Sequence, residues 1–305
     1  MSFSHTLQEM LVILFAIAVG YLAHRLGYLG GETNKKLSAL ILNVTIPCMI
    51  LAAVLQQPNR PTPEQIRSVL VSAAVFYTVT YTCTILVPLL VGGTAKEKGV
   101  WRFVLAFPNI GFIGYPLVTA LFGQEGFFYA VVLGLPFALL NYTLGPLMLS
   151  GTLRISWKQF CSPTVLVSVV SLFLTFSDIR FPAVLGEAVD LVGSVSIPLS
   201  LLVLGSLLAS MPARSVFGSW RLWVLSAFRL LILPAIMSLI LRQFTTDALI
   251  AGVAVAQMSM PVSVNGSMMC LDVDGDVDAM ARSIFLTTLL AIVTIPVCSV
   301  LFMQF

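Results

Sequence analysis

The chain has 305 residues, of which 58% are hydrophobic and only 10% are charged, and its mean hydropathy is +1.01. Soluble domains carry about 25% charged residues, so this composition excludes a water-soluble fold. The net charge of +3 is too small for a nucleic-acid-binding surface. Because a helix needs about 20 apolar residues to cross a bilayer, the length accommodates about ten to twelve spans and no separate catalytic domain.

Apolar segments separated by glycine, proline or charged residues predict an all-α integral membrane protein with ten transmembrane helices. In chain order the spans are expected at residues 6–24, 36–55, 66–91, 100–121, 126–150, 160–177, 184–209, 219–242, 247–269 and 280–303. No disulfide or metal site is predicted from the five cysteines, which lie in or beside these spans without CxxC spacing: Cys48, Cys83, Cys161, Cys270 and Cys298.

The basic residues of the connecting loops predict how the chain is oriented. The odd-numbered loops carry eleven of them: Arg25, Lys35, Lys36, Lys96, Lys98, Arg102, Arg154, Lys158, Arg214, Arg221 and Arg282. The even-numbered loops carry four: Arg60, Arg67, Arg180 and Arg242. Since cytoplasmic loops hold the excess of Lys and Arg, we expect the odd loops in the cytoplasm and both termini outside it.

The two halves of the sequence share an ordered set of prolines. The sequence Val44-Thr-Ile-Pro47 is matched by Val195-Ser-Ile-Pro198. Three further proline pairs follow at similar offsets: Pro88 with Pro234, Pro116 with Pro261, and Pro146 with Pro296. The pattern predicts a five-helix repeat at 1–150 and a second at 151–305. A unit with an odd number of spans must re-enter the membrane from the opposite side, so the second repeat is expected to be inverted.

Spans four and nine contain the densest clusters of helix-breaking residues. The first reads FPNIGFIGYP from Phe107 to Pro116, and the second reads MSMPVSVNG from Met258 to Gly266. Proline removes a backbone donor and disrupts the preceding turn, so both helices are expected to unwind near mid-membrane. Two such breaks in corresponding spans predict a central substrate site, with Asn109 and Asn265 as neutral donors and acceptors. The alternative is that both are ordinary kinks whose asparagines bond to neighbouring helices.

The segments FPNIGFIGYPLVTALFG and MPVSVNGSMM, together with the two proline motifs of spans two and seven, resemble the auxin efflux carrier family over nearly the whole chain. The short connection from Gly151 to Gln159 is similar to that of its bacterial branch, whose substrates include malate and malonate. The resemblance implies an architecture similar to bile-acid/sodium symporters. In that architecture helices 1, 2, 6 and 7 form a scaffold, and helices 3–5 and 8–10 form a transport domain that moves like an elevator.

The same resemblance implies a homodimer formed through the scaffold and a substrate held where helices four and nine cross. Carried over by position, Asn109 and Pro116 mark the crossing segment of span four, and Pro261 and Asn265 mark that of span nine. Gly111, Tyr115 and Ser263 in the same segments are also expected to bind substrate. Thr45 and Ser196 each lie two residues before a scaffold proline and are expected on the substrate path, although such hydroxyls often bond to their own helix.

Two ionisable residues are further candidates. Arg229 lies in the middle of span eight, where a charge costs about 2.5–3.5 kcal/mol and normally faces a cavity or partner. It is expected either to neutralise a substrate carboxylate or to pair with a helix-end carbonyl. Asp190, near the start of span seven, is the candidate for protonation, with an interfacial, solvated position as the alternative.

These observations predict a secondary active transporter of a small organic anion in a cell membrane, in particular a bacterial inner membrane. The substrate is expected to be a carboxylate or dicarboxylate such as malate or malonate, or an auxin-like weak acid. No enzymatic motif, cofactor or nucleic-acid partner is expected. Proton coupling or uniport is favoured over sodium coupling, because the span-four and span-nine crossings offer few side-chain oxygens beyond those of the two asparagines, Ser259, Ser263 and Ser267. A sodium-coupled symporter of an amphipathic acid and a non-pumping channel or sensor are the alternatives.

Overall fold

The computed structural model describes residues 3–56, 61–151, 162–177, 179, 181–211, 219–245 and 247–305, and this part of the chain is all-helical. Its α-helices are α1 (Phe3–Arg25), α2 (Gly31–Leu40), α3 (Ile46–Leu55), α4 (Pro63–Val91), α5 (Ala95–Ala106), α6 (Tyr115–Ser150), α7 (Pro163–Phe176), α8 (Ala183–Gly193), α9 (Ser196–Ala209), α10 (Trp220–Ala227), α11 (Leu233–Phe244), α12 (Ala248–Met258), α13 (Asn265–Asp272) and α14 (Val277–Leu301). Several residues of the sequence predictions lie outside the described ranges: Arg60, Arg154, Lys158, Cys161, Arg180 and Arg214.

Within the described ranges, seven helical stretches are long and apolar enough to cross a membrane. They are Ser4–Arg25, Gly31–Leu55, Pro63–Val91, Ile110–Phe137, Ala183–Ala209, Trp220–Phe244 and Val277–Leu301. Two further apolar helices, Pro163–Phe176 and Ala248–Met258, are shorter. The prediction of an all-α integral membrane protein is confirmed at this level.

The structure differs from the ten predicted spans where the chain is broken or bent. The segment predicted as span nine divides into α12 and α13, because Pro261 follows soon after the last turn of α12. The segment predicted as span four begins in α5, breaks at residues 107–109 and continues through the π turn Ile110–Gly114 into α6. Span five follows within the same helix α6, after an interruption at Gly123 by a φ of +69°. Glycine adopts this left-handed conformation without steric cost. The count of ten spans and the inverted repeat therefore stay predictions.

Three of the long helices contain a five-residue π turn, and each ends two residues before a proline. The π turns are Ile41–Thr45, Ile110–Gly114 and Phe228–Ile232, and the prolines are Pro47, Pro116 and Pro234. Proline lacks the N–H that would bond four residues back, and its ring crowds that carbonyl, so the turn widens. One carbonyl of the first π turn, that of Leu42, instead accepts the hydroxyl of Thr164 from α7.

Small residues allow α1 and α9 to pack with their backbones in close contact. A Cβ atom on Gly205 would lie 1.9 Å from the carbonyl oxygen of Ile17, and one on Gly20 would lie 2.1 Å from that of Leu202. Interfaces of this kind are typical of membrane helices, which gain no hydrophobic energy from leaving lipid and associate through close van der Waals packing. The outward faces carry large apolar side chains, such as Phe15, Leu90 and Leu191, as lipid contact requires.

Candidate functional site

The breaks in the fourth and ninth predicted spans meet and bond to each other. Pro108 and Val262 form an antiparallel bridge. The N–H of Asn109 donates to the carbonyl of Pro261 at 2.7 Å, and the N–H of Ser263 donates to the carbonyl of Phe107 at 2.9 Å. The unwound backbone at membrane depth is thus satisfied within the protein, which is the condition for its survival there. We refer to residues 107–109 and 261–263 as the crossover.

Asn109 begins the helical segment that leaves the crossover. Its side-chain Oδ1 accepts the N–H of Phe112 at 3.2 Å, which caps the π turn at Ile110–Gly114. An asparagine in this position satisfies one of the N–H groups that a helix start leaves without a partner. The side chain is 2% exposed, and its Nδ2 has no hydrogen-bond partner among the described residues.

A cavity with about 1040 Å³ of empty space, part of it open to the outside, lies beside the crossover. Elements on both sides of it contribute, including the π turn at Ile41–Thr45, the start of α7, the π turn after Asn109, and α6. Its polar lining residues are Asn43, Asn109, Asn141, Asn265, Ser162, Thr164, Ser168, Ser263, Tyr115 and Tyr142. The other described lining residues are glycines and apolar side chains, so that lining contains no formal charge.

Two asparagines in the cavity wall have buried atoms without partners in the described chain. Nδ2 of Asn109 is an unpaired donor, and Oδ1 of Asn141 is an unpaired acceptor. A buried polar atom left unbonded costs about 1–3 kcal/mol, so such atoms are expected to bond to something that enters the cavity. The candidate site therefore offers both a donor and an acceptor that are neutral and buried.

Five of the residues predicted to bind substrate line this cavity: Asn109, Gly111, Tyr115, Ser263 and Asn265. Pro116 and Pro261 do not line it. Pro116 is buried at the start of α6, where it fixes the preceding π turn, and the carbonyl of Pro261 is part of the crossover. The structure thus brings the side chains of the two broken helices to one place and uses these two prolines to shape the backbone.

The other four predicted residues lie away from the cavity lining. Thr45 is buried and its Oγ1 lies 3.5 Å from the carbonyl of Ile41 in its own helix. Ser196 is buried at the start of α9, and its hydroxyl has no partner among the described residues. Asp190 is half-buried in α8. Arg229 is fully buried and bonds to two backbone carbonyls, those of Leu105 and Met260.

Asn43 and Asn141 are cavity residues that the sequence motifs did not single out. Both begin an Asn-X-Thr sequence, as Asn265 begins an Asn-X-Ser sequence, but a glycosylation site at membrane depth is implausible. The feature of the sequence that could have identified Asn43 and Asn141 as cavity residues is their polar amide side chain inside an apolar span. A polar side chain inside an apolar span is costly and normally faces a protein interior or a water-filled cavity.

The apolar helices define a multi-pass membrane protein, and its neutral polar cavity lies beside the two broken helices. Residues 5–154 and 146–299 match the family described as "Membrane transport protein". The chain belongs to this family, which is the auxin efflux carrier family that its motifs predict.

Two archaeal proteins are similar to the chain over nearly its full length. An uncharacterized transporter of Methanothermobacter thermautotrophicus is 26% identical over 98% of this chain and 99% of its own length. An uncharacterized transporter of Methanocaldococcus jannaschii is 26% identical over 93% of this chain and 95% of its own length. The predictions of a transporter and of a non-enzymatic protein agree with this membership.

Proposed function

We propose that the protein is a secondary carrier of a small organic acid, which binds as its anion in the cavity beside the crossover. The observation that carries the proposal is the buried amide Nδ2 of Asn109, an unpaired donor in the wall of a neutral cavity. A carboxylate oxygen is a strong acceptor for such a donor, and hydrogen bonds to charged groups are worth about 1.5–3 kcal/mol.

Helix ends add to this preference for an anion. The π turn that starts at Ile110 and the helix α13 that starts at Asn265 both begin at the cavity. The first N–H groups of a helix carry a partial positive charge and lack intrahelical partners. At these two starts the N–H groups of Ile110, Phe112, Gly266 and Ser267 already have acceptors within the protein. The helix starts therefore favour a carboxylate through their partial positive charge, without a lysine or arginine.

The same neutrality favours one negative charge over two. No Lys, Arg or His side chain is among the described residues of the cavity lining, and each buried ion without a counterion costs several kcal/mol. Malonate and its half-amide, malonamate, have the same size but differ by one charge. We expect malonamate to bind more tightly, since its amide can also donate to Oδ1 of Asn141.

Long-range contacts support the ten-span, inverted arrangement as part of the proposal. Lys96 forms an ion pair with Asp274 at 3.0 Å, and Nε of Arg221 donates to the carbonyl of Val91 at 3.2 Å; these join segments at odd-numbered loops. Arg242 donates to the carbonyl of Gln304 at 3.0 Å, which joins an even-numbered loop to the C-terminus. Each contact links segments that ten spans would place on the same membrane face.

A thiol-labelling experiment tests this topology. We expect Lys96→Cys and Asp274→Cys to resist a membrane-impermeant thiol reagent in intact cells, because both odd loops face the cytoplasm. Arg242→Cys is the matched control, expected to react from outside. The measurement is gel-shift labelling of the full chain, with its five native cysteines replaced, before and after permeabilisation. Labelling of Lys96→Cys and Asp274→Cys on opposite faces would reject ten spans.

The composition of the cavity wall supports alternating access as the mechanism of this proposal. Leu42, Asn43 and Thr164 belong to the predicted scaffold, whereas Asn109 and Asn265 belong to the predicted transport domain. A substrate held mainly by the transport domain would change sides when that domain slides against the scaffold, as in an elevator. A channel would need a continuous pore instead, and accumulation against a gradient separates the two mechanisms.

Ligand binding followed by uptake tests the function. We expect malonamate or indole-3-acetate to raise the thermal unfolding midpoint of the purified protein, and malonate and malate to raise it less. The acids that bind should then accumulate in proteoliposomes containing the protein but not in protein-free liposomes. If no carboxylate in the panel shifts the midpoint or enters, an organic acid is the wrong substrate class.

A further inference from the structure

Arg229 bonds to both broken helices and is not among the residues that line the cavity. It lies in the π turn Phe228–Ile232 and is 0% exposed. Its Nε donates to the carbonyl of Met260 at 3.0 Å, and its Nη1 donates to the carbonyl of Leu105 at 3.0 Å. Leu105 lies in the last turn of α5, and Met260 lies just beyond the end of α12.

The hydrogen-bond partners of the Arg229 guanidinium among the described residues are backbone carbonyls at helix ends, and its Nη2 has no partner there. Among the described residues, no Asp or Glu forms an ion pair with it. The last carbonyls of a helix lack intrahelical partners and carry a partial negative charge. The two helices that end at the crossover therefore direct their negative ends to one guanidinium, while the helices that begin there direct their positive ends to the cavity.

Both carbonyls are directly connected to the crossover. Met260 precedes Pro261, whose carbonyl accepts the N–H of Asn109 at 2.7 Å. Leu105 lies two residues before Phe107, whose carbonyl accepts the N–H of Ser263 at 2.9 Å. One planar guanidinium thus spans the two chain segments that enter the crossover, and its forked geometry fixes their separation in a way that a lysine ammonium cannot.

The local structure of α10 and α11 keeps the guanidinium in this place. Pro234 widens the turn that contains Arg229, and the thiol of Cys298 in α14 donates to the neighbouring carbonyl of Leu230 at 3.2 Å. The hydroxyl of Thr287, also in α14, accepts the N–H of Val262 at 3.2 Å. Side chains of α14 therefore support both the arginine turn and the crossover.

We propose that Arg229 is the positioning residue of the crossover, a built-in cation that joins the C-terminal ends of α5 and α12 and sets the spacing of the two helix starts at the cavity. The inference rests on the proposed function in one respect only, that the spacing of the helix starts serves to bind a substrate. The hydrogen bonds of Arg229 do not depend on any substrate. Each of the carbonyls of Leu105 and Met260 already accepts a hydrogen bond from a cation of the chain itself, so we expect the crossover to form without a bound metal cation.

Amide hydrogen exchange of the full chain in detergent tests the proposal without a substrate. We expect Arg229→Ala to speed exchange in peptides that cover 107–110 and 261–264 on the order of tenfold or more, with little change in distant helices. Guanidinium ion, at a concentration that leaves the wild type unchanged, should restore slow exchange. Arg229→Lys should give an intermediate result, because an ammonium keeps the charge but loses the fork.

Arg221→Ala is the matched control, because Arg221 also bonds to one backbone carbonyl, that of Val91, but at the edge of the fold. It should leave exchange at the crossover unchanged. Unchanged exchange at the crossover in Arg229→Ala would overturn the proposal, as would a uniform increase in all helices or equal rescue by sodium. If neither Arg229 variant folds, amide exchange of the wild type is compared in sodium chloride and in choline chloride of equal ionic strength. We expect equal exchange at the crossover in the two salts. Slower exchange in sodium chloride would overturn the proposal.

Discussion

Replacing Asn109 with aspartate is expected to remove anion binding while the crossover stays folded. The carboxylate keeps an acceptor for the N–H of Phe112, which Oδ1 of Asn109 bonds at 3.2 Å, and a negative charge suits the start of a helix. The variant loses the only feature of this residue that faces an anion favourably, the Nδ2 donor. It also places a like charge beside the substrate. We expect KM for uptake to rise by about 10- to 100-fold or more.

Asn109→Ala separates the two roles of this side chain. Alanine loses both the cap and the donor, and the loss of a cap costs about 0.5–2 kcal/mol. The unfolding midpoint should therefore fall in Asn109→Ala but not in Asn109→Asp, whereas binding should be lost in both. Asn34, a buried asparagine of α2 that does not line the cavity, provides the control variant Asn34→Ala. Uptake by Asn109→Asp with an unchanged KM would remove Asn109 from the site.

The largest loss of stability is expected from Gly205→Ala. The new Cβ would lie 1.9 Å from the carbonyl oxygen of Ile17 and 2.8 Å from the amide nitrogen of Tyr21, and backbone atoms cannot move away as a flexible side chain can. The variant must push α1 and α9 apart, and overpacking of this kind costs about 1–3 kcal/mol or more. The unfolding midpoint of the purified protein and the yield of monodisperse protein should both fall.

Gly186→Ala is the matched control for this substitution. Gly186 also lies in a helix, α8, but its Cβ would lie 3.6 Å from a side-chain carbon of Gln56, an ordinary contact. We expect its unfolding midpoint to stay near that of the wild type. Equal midpoints for Gly205→Ala and Gly186→Ala would show that α1 and α9 are not packed as closely as the structure has them.

Much of the candidate site could be anticipated because prolines and asparagines in apolar segments have few acceptable environments. Pro108 and Pro261 break their helices. Asn109 and Asn265 are costly in contact with lipid, so the two broken segments predicted one shared polar site. Asn43 and Asn141 were missed as cavity residues. Their Asn-X-Thr sequences predicted nothing at membrane depth, and only the packing of α7 against both the π turn at Ile41–Thr45 and α6 brings them to the same wall.

Arg229 shows where sequence reasoning stops. Its position in an apolar span indicated a buried partner, and two partners fitted equally well: a substrate carboxylate or a helix-end carbonyl. The observed partners, Leu105 and Met260, lie 124 and 31 residues away along the chain. No local pattern selects them, because the backbone carbonyl is common to every residue.

By itself the sequence determined that this protein lies in a lipid bilayer, where its helices break, and which polar residues are available to a substrate. The composition of a segment sets its free energy of transfer from water to the bilayer, and proline and glycine alter the backbone only of the helical turn that contains them. These properties are therefore local. Only the tertiary structure decided that the two breaks bond through Asn109 and Ser263, that Asn141 joins the cavity, and that Arg229 faces the helix ends. Those contacts depend on distances between segments far apart in the chain, which close packing sets.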